Sequence, residues 1–235
     1  MDMTEHINHT QEITDKDLSA DDLYHNLLMD YAAGRLAEAQ NMIIAAHICM
    51  SGNARQKLRQ YESLGGYMLE NECAPVSMCA SALDNTLSLL DQVRHEAEHK
   101  SQNNIFPGNI TVPTPITECL ETNRVNAKWR MLFPGLETFK VKLNCPRHNV
   151  RFIKAAPKVK TPHHTHGGVE ITLVLDGAYE DEYGQYKRGD LVISDENQRH
   201  TPQSCARRGC VCLIVSDTPV RFTGLWRILN YFIKI

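Results

Sequence analysis

Three imidazoles and a carboxylate stand at spacings suited to metal coordination: His164, His166, Glu170 and, further along the chain, His200. His164 and His166 are two residues apart, so on an extended chain both side chains leave the same face. Gly167 and Gly168 allow a sharp turn before Glu170 opens the next segment. Neutral imidazole nitrogens and a carboxylate oxygen are ligands for borderline divalent ions: zinc, iron, manganese or nickel. His163 sits beside the group as an extra imidazole.

The elements that must position these groups read as short strands. Glu-Ile-Thr-Leu-Val-Leu-Asp from Glu170 runs to a stop at Gly177, and Asp190-Leu-Val-Ile starts after Arg188-Gly189 and leads towards His200. Further strand-like runs cover Trp129–Phe133, Thr138–Leu143, Val150–Lys154, Ala178–Asp181 and Val211–Val215, with Pro134-Gly135, Asn144-Cys145-Pro146 and Pro157 as turns. Short strands at close spacing after Thr117 predict an antiparallel barrel or sandwich. Tyr179, Glu180 and Glu182 fall on an expected surface hairpin. Cys210 and Cys212 share a strand face, either as small core residues or as oxidisable thiols, and the core reading is the stronger.

The first hundred residues are helical in pattern. Residues 1–19 read as a flexible tail, with Ser19, Asp21 or Asp22 as N-caps of a helix that stops at Gly34. A second helix spans Leu36–Met50, and its run Met42–Met50 is apolar almost all round, as a central bundle helix or a partner surface would be. A third runs from Ala54 to Leu64 and stops at Gly65-Gly66. A fourth covers Ala80–His99, with Leu83, Leu87, Leu90 and Val93 on one face. Residues 100–116, rich in Asn, Gln and Pro, read as a linker. The apolar end, Leu225–Ile235, reads as a closing segment of the barrel rather than a membrane anchor.

Composition narrows the function classes. A 235-residue chain with 42% hydrophobic and 23% charged residues is ordinary for a soluble globular protein. The net charge of −3 offers no broad basic face for nucleic acid. No export signal or membrane span is legible, so the eight cysteines read as reduced thiols in the cytoplasm.

The pattern H-x-H-x3-E-x6-G followed by a distant His resembles the metal motifs of the cupin superfamily. Both halves together resemble the ChrR family of cupin-containing anti-sigma factors, of the zinc-binding anti-sigma class. In the first half the likeness rests on Leu27–Gly34, Ala45-Ala46-His47 and Leu64-Gly65-Gly66. In the second it rests on His164–Ala178, His200-Thr201-Pro202 and Cys210–Leu213. The resemblance implies an α+β protein of two domains. A small antiparallel helical bundle at residues 20–99 would be the anti-sigma domain, and a cupin-type antiparallel β-barrel at 117–235 would follow the 100–116 linker. It implies sequestration of an extracytoplasmic-function (ECF) sigma factor, with release when the cupin domain senses an oxidative signal. Neither direct nucleic-acid contact nor a membrane is implied.

The same resemblance assigns zinc in the cupin domain to His164, His166, Glu170 and His200. In the anti-sigma class a second zinc is held by an N-terminal His and a His-x3-Cys-x2-Cys group. Here His47 is in place, but Ser51 and Ala54 occupy the cysteine positions and Cys49 is off register. His6, His9 and His25 are the candidates for the N-terminal ligand, and none is well placed. The second zinc is therefore expected to be absent, with His47 at the edge of the core. The alternative reading is a metal-dependent cupin enzyme, a dioxygenase or isomerase. A structural cupin with a dimerising helical domain is a weaker third.

Overall fold

The structure is a computed structural model, and it describes residues 19–96, 110–123, 128–143, 145–223 and 227. The expected N-terminal tail and the Leu225–Ile235 segment lie almost wholly outside the described residues, as do positions 100–109 of the expected linker.

Helix α1 (Ala20–Ala32) begins at a reciprocal cap: Asp22 N–H donates to Ser19 Oγ, and Ser19 N–H donates to Asp22 Oδ2. It ends before Gly34, whose φ of +66° lies in the left-handed region. Helix α2 (Glu38–Met50) buries seven residues from Ala39 to His47, in keeping with its all-round apolar sequence. Ser51 closes α2 and caps α3 (Gly52–Asn71) by accepting from Ala54 N–H. The expected stop at Gly65-Gly66 is not there, because α3 continues to Asn71. Neither glycine adopts a positive φ, so neither can form the left-handed cap that ends a helix. Two interior glycines cost about 1 kcal/mol each, which good helix formers on both sides offset. Helix α4 (Ala82–Glu96) follows.

Helix α5 (Thr114–Thr122) corrects the expectation of strand-like chain after Thr117. Pro113 and Pro115, read in the sequence as linker residues, start it instead. Proline is favoured in a first helical turn, where its missing N–H has no partner to lose. Ile116 and Leu120 of α5 are fully buried in the core that holds α2.

Eleven strands follow among the described residues: β1 (Arg130–Phe133), β2 (Leu136–Val141), β3 (Asn149–Ala155), β4 (His164–Thr165), β5 (Glu170–Asp181), β6 (Gly184–Lys187), β7 (Leu191–Ser194), β8 (Arg199–His200), β9 (Gln203–Ser204), β10 (Cys210–Ser216) and β11 (Arg221–Phe222). The main antiparallel sheet runs β1-β2-β3-β10-β5-β6, with β7 and β9 also paired to β5. A second sheet, β11-β4-β8, is joined to it by loops. Among the described residues the hydrogen-bonded ladder does not close into a ring, so the expected barrel is an open one.

Each face of the main sheet has its own core. Val211, Leu213 and Val215 of β10 share one cluster with Phe152 and Leu173, and with Met42, Ile43, Ile44 and Ala46 of α2. Cys210, Cys212 and Ile214 face the other way, into the barrel, with Val174 and Tyr179. The helical module is thus packed on the outer face of the main sheet, and α2 has its cover there. No described helix is long and apolar enough to cross a membrane.

Strand β5 does not stop at Gly177, as the sequence suggested, but runs on to Asp181. A register shift opposite Val211 and Cys212 leaves one extra residue on β5 between Val174 and Asp176. Glu170, Thr172 and Val174 point into the barrel before the bulge, and Tyr179 does so after it. The inward phase has changed from even to odd positions. Gly177 has φ +71°, and a Cβ there would lie 2.1 Å from the Gly209 carbonyl oxygen, so only glycine fits.

Candidate metal centre

His164 and His200 are directly opposed across the β4–β8 ladder, and His166 follows β4 by one residue. All three are buried, at 8%, 2% and 4% exposure. His200 Nε2 lies 3.0 Å from His164 Nε2 and 3.1 Å from His166 Nε2. One donor atom from each histidine falls within 4.8 Å of the others, and this is a group that could hold a metal ion.

The other ring nitrogens decide what these atoms are. His164 Nδ1–H donates to the Pro162 carbonyl at 2.8 Å, and His200 Nδ1–H donates to Asp181 Oδ2 at 2.8 Å. A neutral imidazole so anchored presents a lone pair at Nε2. Lone pairs facing one another at about 3 Å repel unless a cation lies between them. A metal with bonds of about 2.0–2.1 Å holds two nitrogens roughly that far apart. The donor set therefore fits a borderline divalent ion.

Glu170 stands beside the trio, with Oε2 3.2 Å from His166 Nδ1. That contact is close enough for attraction but misaligned for a hydrogen bond, since His166 Nδ1 has no hydrogen-bond partner. Thr172 Oγ1–H donates to Glu170 Oε1 at 3.3 Å. Burial alone would raise the Glu170 pKa, but the His166 and His164 imidazoles and Arg151 outweigh it and hold the carboxyl at about 2. Burial, then His200, lowers His164 to about 4. At neutral pH the site therefore offers a neutral His164 and an ionised Glu170, the forms that bind metals.

Of the other sequence candidates, His163 turns away to Thr223 Oγ1. His47 is committed on both ring nitrogens: Nδ1–H donates to the Gly189 carbonyl at 2.9 Å, and Nε2 accepts from Tyr24 O–H at 3.1 Å. It lies buried at the seam between the helices and the sheet rather than at a core edge. His25 bonds Tyr61 and Lys57, and His6 and His9 lie outside the described residues. Cys210 and Cys212 are buried with their sulfurs 3.3 Å apart. The Cys210 hydrogen bond and burial push the Cys212 thiol well up, as expected of core thiols.

Asp181 was missed in the sequence, and Tyr179 was placed on a surface hairpin. Both misreadings have one cause, the bulge that reverses the inward phase of β5. Tyr179 lines a cavity of about 90 Å³ together with His164, Glu170, His200, Cys210 and Cys212.

Residues 121–219 match the ChrR cupin-like domain family. The anti-sigma-E factor ChrR of Cereibacter sphaeroides is 29% identical over 211 residues, which are 89% of this chain and 95% of the relative. The crystal structure of Rhodobacter sphaeroides SigE in complex with the anti-sigma ChrR superposes with a TM-score of 0.64 at 26% identity, over 82% of this chain and 96% of that one. The chain is thus similar to the anti-sigma factor ChrR over most of its length, in the helical module as well as in the cupin-like domain.

Proposed function

We propose that this protein is an anti-sigma factor that sequesters an ECF sigma factor through its helical module and releases it when the metal-bearing cupin domain senses an oxidative signal. The carrying observation is how the helices divide their apolar surface. α1 and α2 are committed to the cupin sheet. Leu83, Leu87, Leu89 and Leu90 of α4 are 50–67% exposed, and Leu64 and Leu69 of α3 are 54% and 68% exposed. Large apolar side chains left uncovered in such number mark partner surfaces. The ChrR relatives are named as anti-sigma factors, and one is seen with its sigma factor.

In this reading residues 20–99 form the sigma-binding module and 117–235 the cupin domain, with the 100–116 linker running into the first turn of α5. The protein works in the cytoplasm, where sigma factors act. Zinc is the ion of choice in the cupin domain, held by His164, His166 and His200 with Glu170 as fourth ligand. Four protein ligands leave no open position for substrate, which favours a sensory or structural ion over catalysis. A second zinc is not expected in the helical module. Supporting that, Ser51 serves as a helix cap, Ala54 is fully buried, and both His47 nitrogens are engaged.

The test is co-expression with the ECF sigma factors of the same organism. A one-to-one complex should co-purify, and Leu83→Ser/Leu87→Ser/Leu90→Ser should abolish it while leaving the metal content unchanged. Co-purification that survives the triple substitution would refute the assignment of α4 to the sigma surface.

A further inference from the structure

Arg151 is the largest fully buried side chain in the molecule's described residues, only 1% exposed, and none of its three guanidinium nitrogens has a hydrogen-bond partner. It sits on β3 between Val150 and Phe152, which face the helices, so its own side chain enters the barrel. There it lines a cavity of about 60 Å³ with Glu170, His164, Phe133, Val220 and Phe222. This cavity adjoins the larger one at the metal centre through the shared walls His164, Glu170 and Ile214.

A buried charge without a partner is among the most costly features a fold can carry. Glu170 acts on Arg151 electrostatically but makes no hydrogen bond to it. The Ser216 hydroxyl, opposite Glu170 in the β10–β5 register, is also buried without a partner. Two buried donors, the Arg151 guanidinium and the Ser216 hydroxyl, thus lack acceptors here, and apart from Thr161, His164 and Glu170 the rest of the cavity wall is aliphatic or aromatic.

We propose that the Arg151 cavity is a binding site for a small carboxylate with a short apolar tail. The planar guanidinium fork matches a carboxylate through two parallel N–H···O bonds, and the tail lies along Phe133, Val220 and Phe222. Such a ligand would occupy the barrel beside His164 and Glu170, so its binding would be read by the cupin domain independently of sigma-factor binding.

The test uses the full chain as purified, with its metal, titrated with sodium butyrate, and with butyramide as the uncharged isostere. Butyrate should raise the melting temperature by several degrees in a saturable manner and give a calorimetric binding isotherm, while butyramide and sodium chloride do neither. Arg151→Met should eliminate the butyrate response without changing the metal content. Should Arg151→Met fail to fold, the contrast between butyrate and butyramide on the unsubstituted protein decides. An equal response to both compounds, an equal response to chloride, or no response to butyrate overturns the proposal.

Discussion

Asp181 offers the sharpest test of the candidate metal centre because it would reach a bound ion only through His200. Its carboxylate accepts from His200 Nδ1 at 2.8 Å, and its side chain is 2% exposed. No solvent is at hand to replace that bond. Asp181→Asn preserves size but removes the charge that makes His200 Nε2 a stronger donor. An amide N–H turned to Nδ1 would also favour the tautomer with the proton on Nε2, which cannot bind metal. Partners of this kind are worth about 10–100-fold in metal affinity, which is about 1.4–2.8 kcal/mol. Zinc competition against a chromophoric chelator should show the dissociation constant of Asp181→Asn raised by that factor. Asp176→Asn, which disturbs only an ion pair to the exposed Arg208, should change nothing. An Asp181→Asn affinity within about threefold of the parent, well below the expected 10-fold, would refute the placement of His200 as a ligand anchored by Asp181.

His47→Ala should cost about 1–3 kcal/mol in urea unfolding, since it leaves a buried polar partner unsatisfied; its metal content should equal the parent's, and loss of an ion would revive a zinc in the helical module. Metal-free protein should lose stability as pH falls from about 6.5 towards 4. The His164 pKa is lower folded than unfolded, so the unfolded chain takes up the proton first. The Glu170 carboxyl, held at about 2, extends the loss below pH 4.5. Urea midpoints measured across that range check the sign. Under native conditions iodoacetamide should label the exposed Cys49, Cys73 and Cys79 well before the buried Cys210 and Cys212; mass spectrometry showing early labelling of the pair would contradict their burial.

The histidine trio was legible in the sequence because two of its members are local and imidazoles rarely crowd by chance. Alternation also placed most strands near their observed bounds, since one residue in two must face a core. What failed were places where a single residue changes the phase or meaning of a pattern. The β5 bulge turned Asp181 inward, although an aspartate before a turn reads as solvent-facing. Arg151, flanked by Val150 and Phe152, reads as the wet side of a strand. Only the topology reveals that both faces of β3 are covered, one by helices and one by the barrel wall. Pro113 and Pro115 read as linker because proline stops helices more often than it starts them. The seam made by His47, Tyr24 and Gly189 joins residues 142 positions apart, and no local pattern carries it.

The central claim is that one metal centre in the cupin domain is tethered to a helical module that grips a sigma factor. The direct measurement is the metal and sigma-factor stoichiometry of the complex purified from cells co-expressing an ECF sigma factor of the same organism. One sigma factor and one divalent ion per chain are expected, with the ion lost in His166→Ala/His200→Ala while the sigma factor stays bound. Two ions per chain, or a chain that purifies without the sigma factor, would contradict the claim.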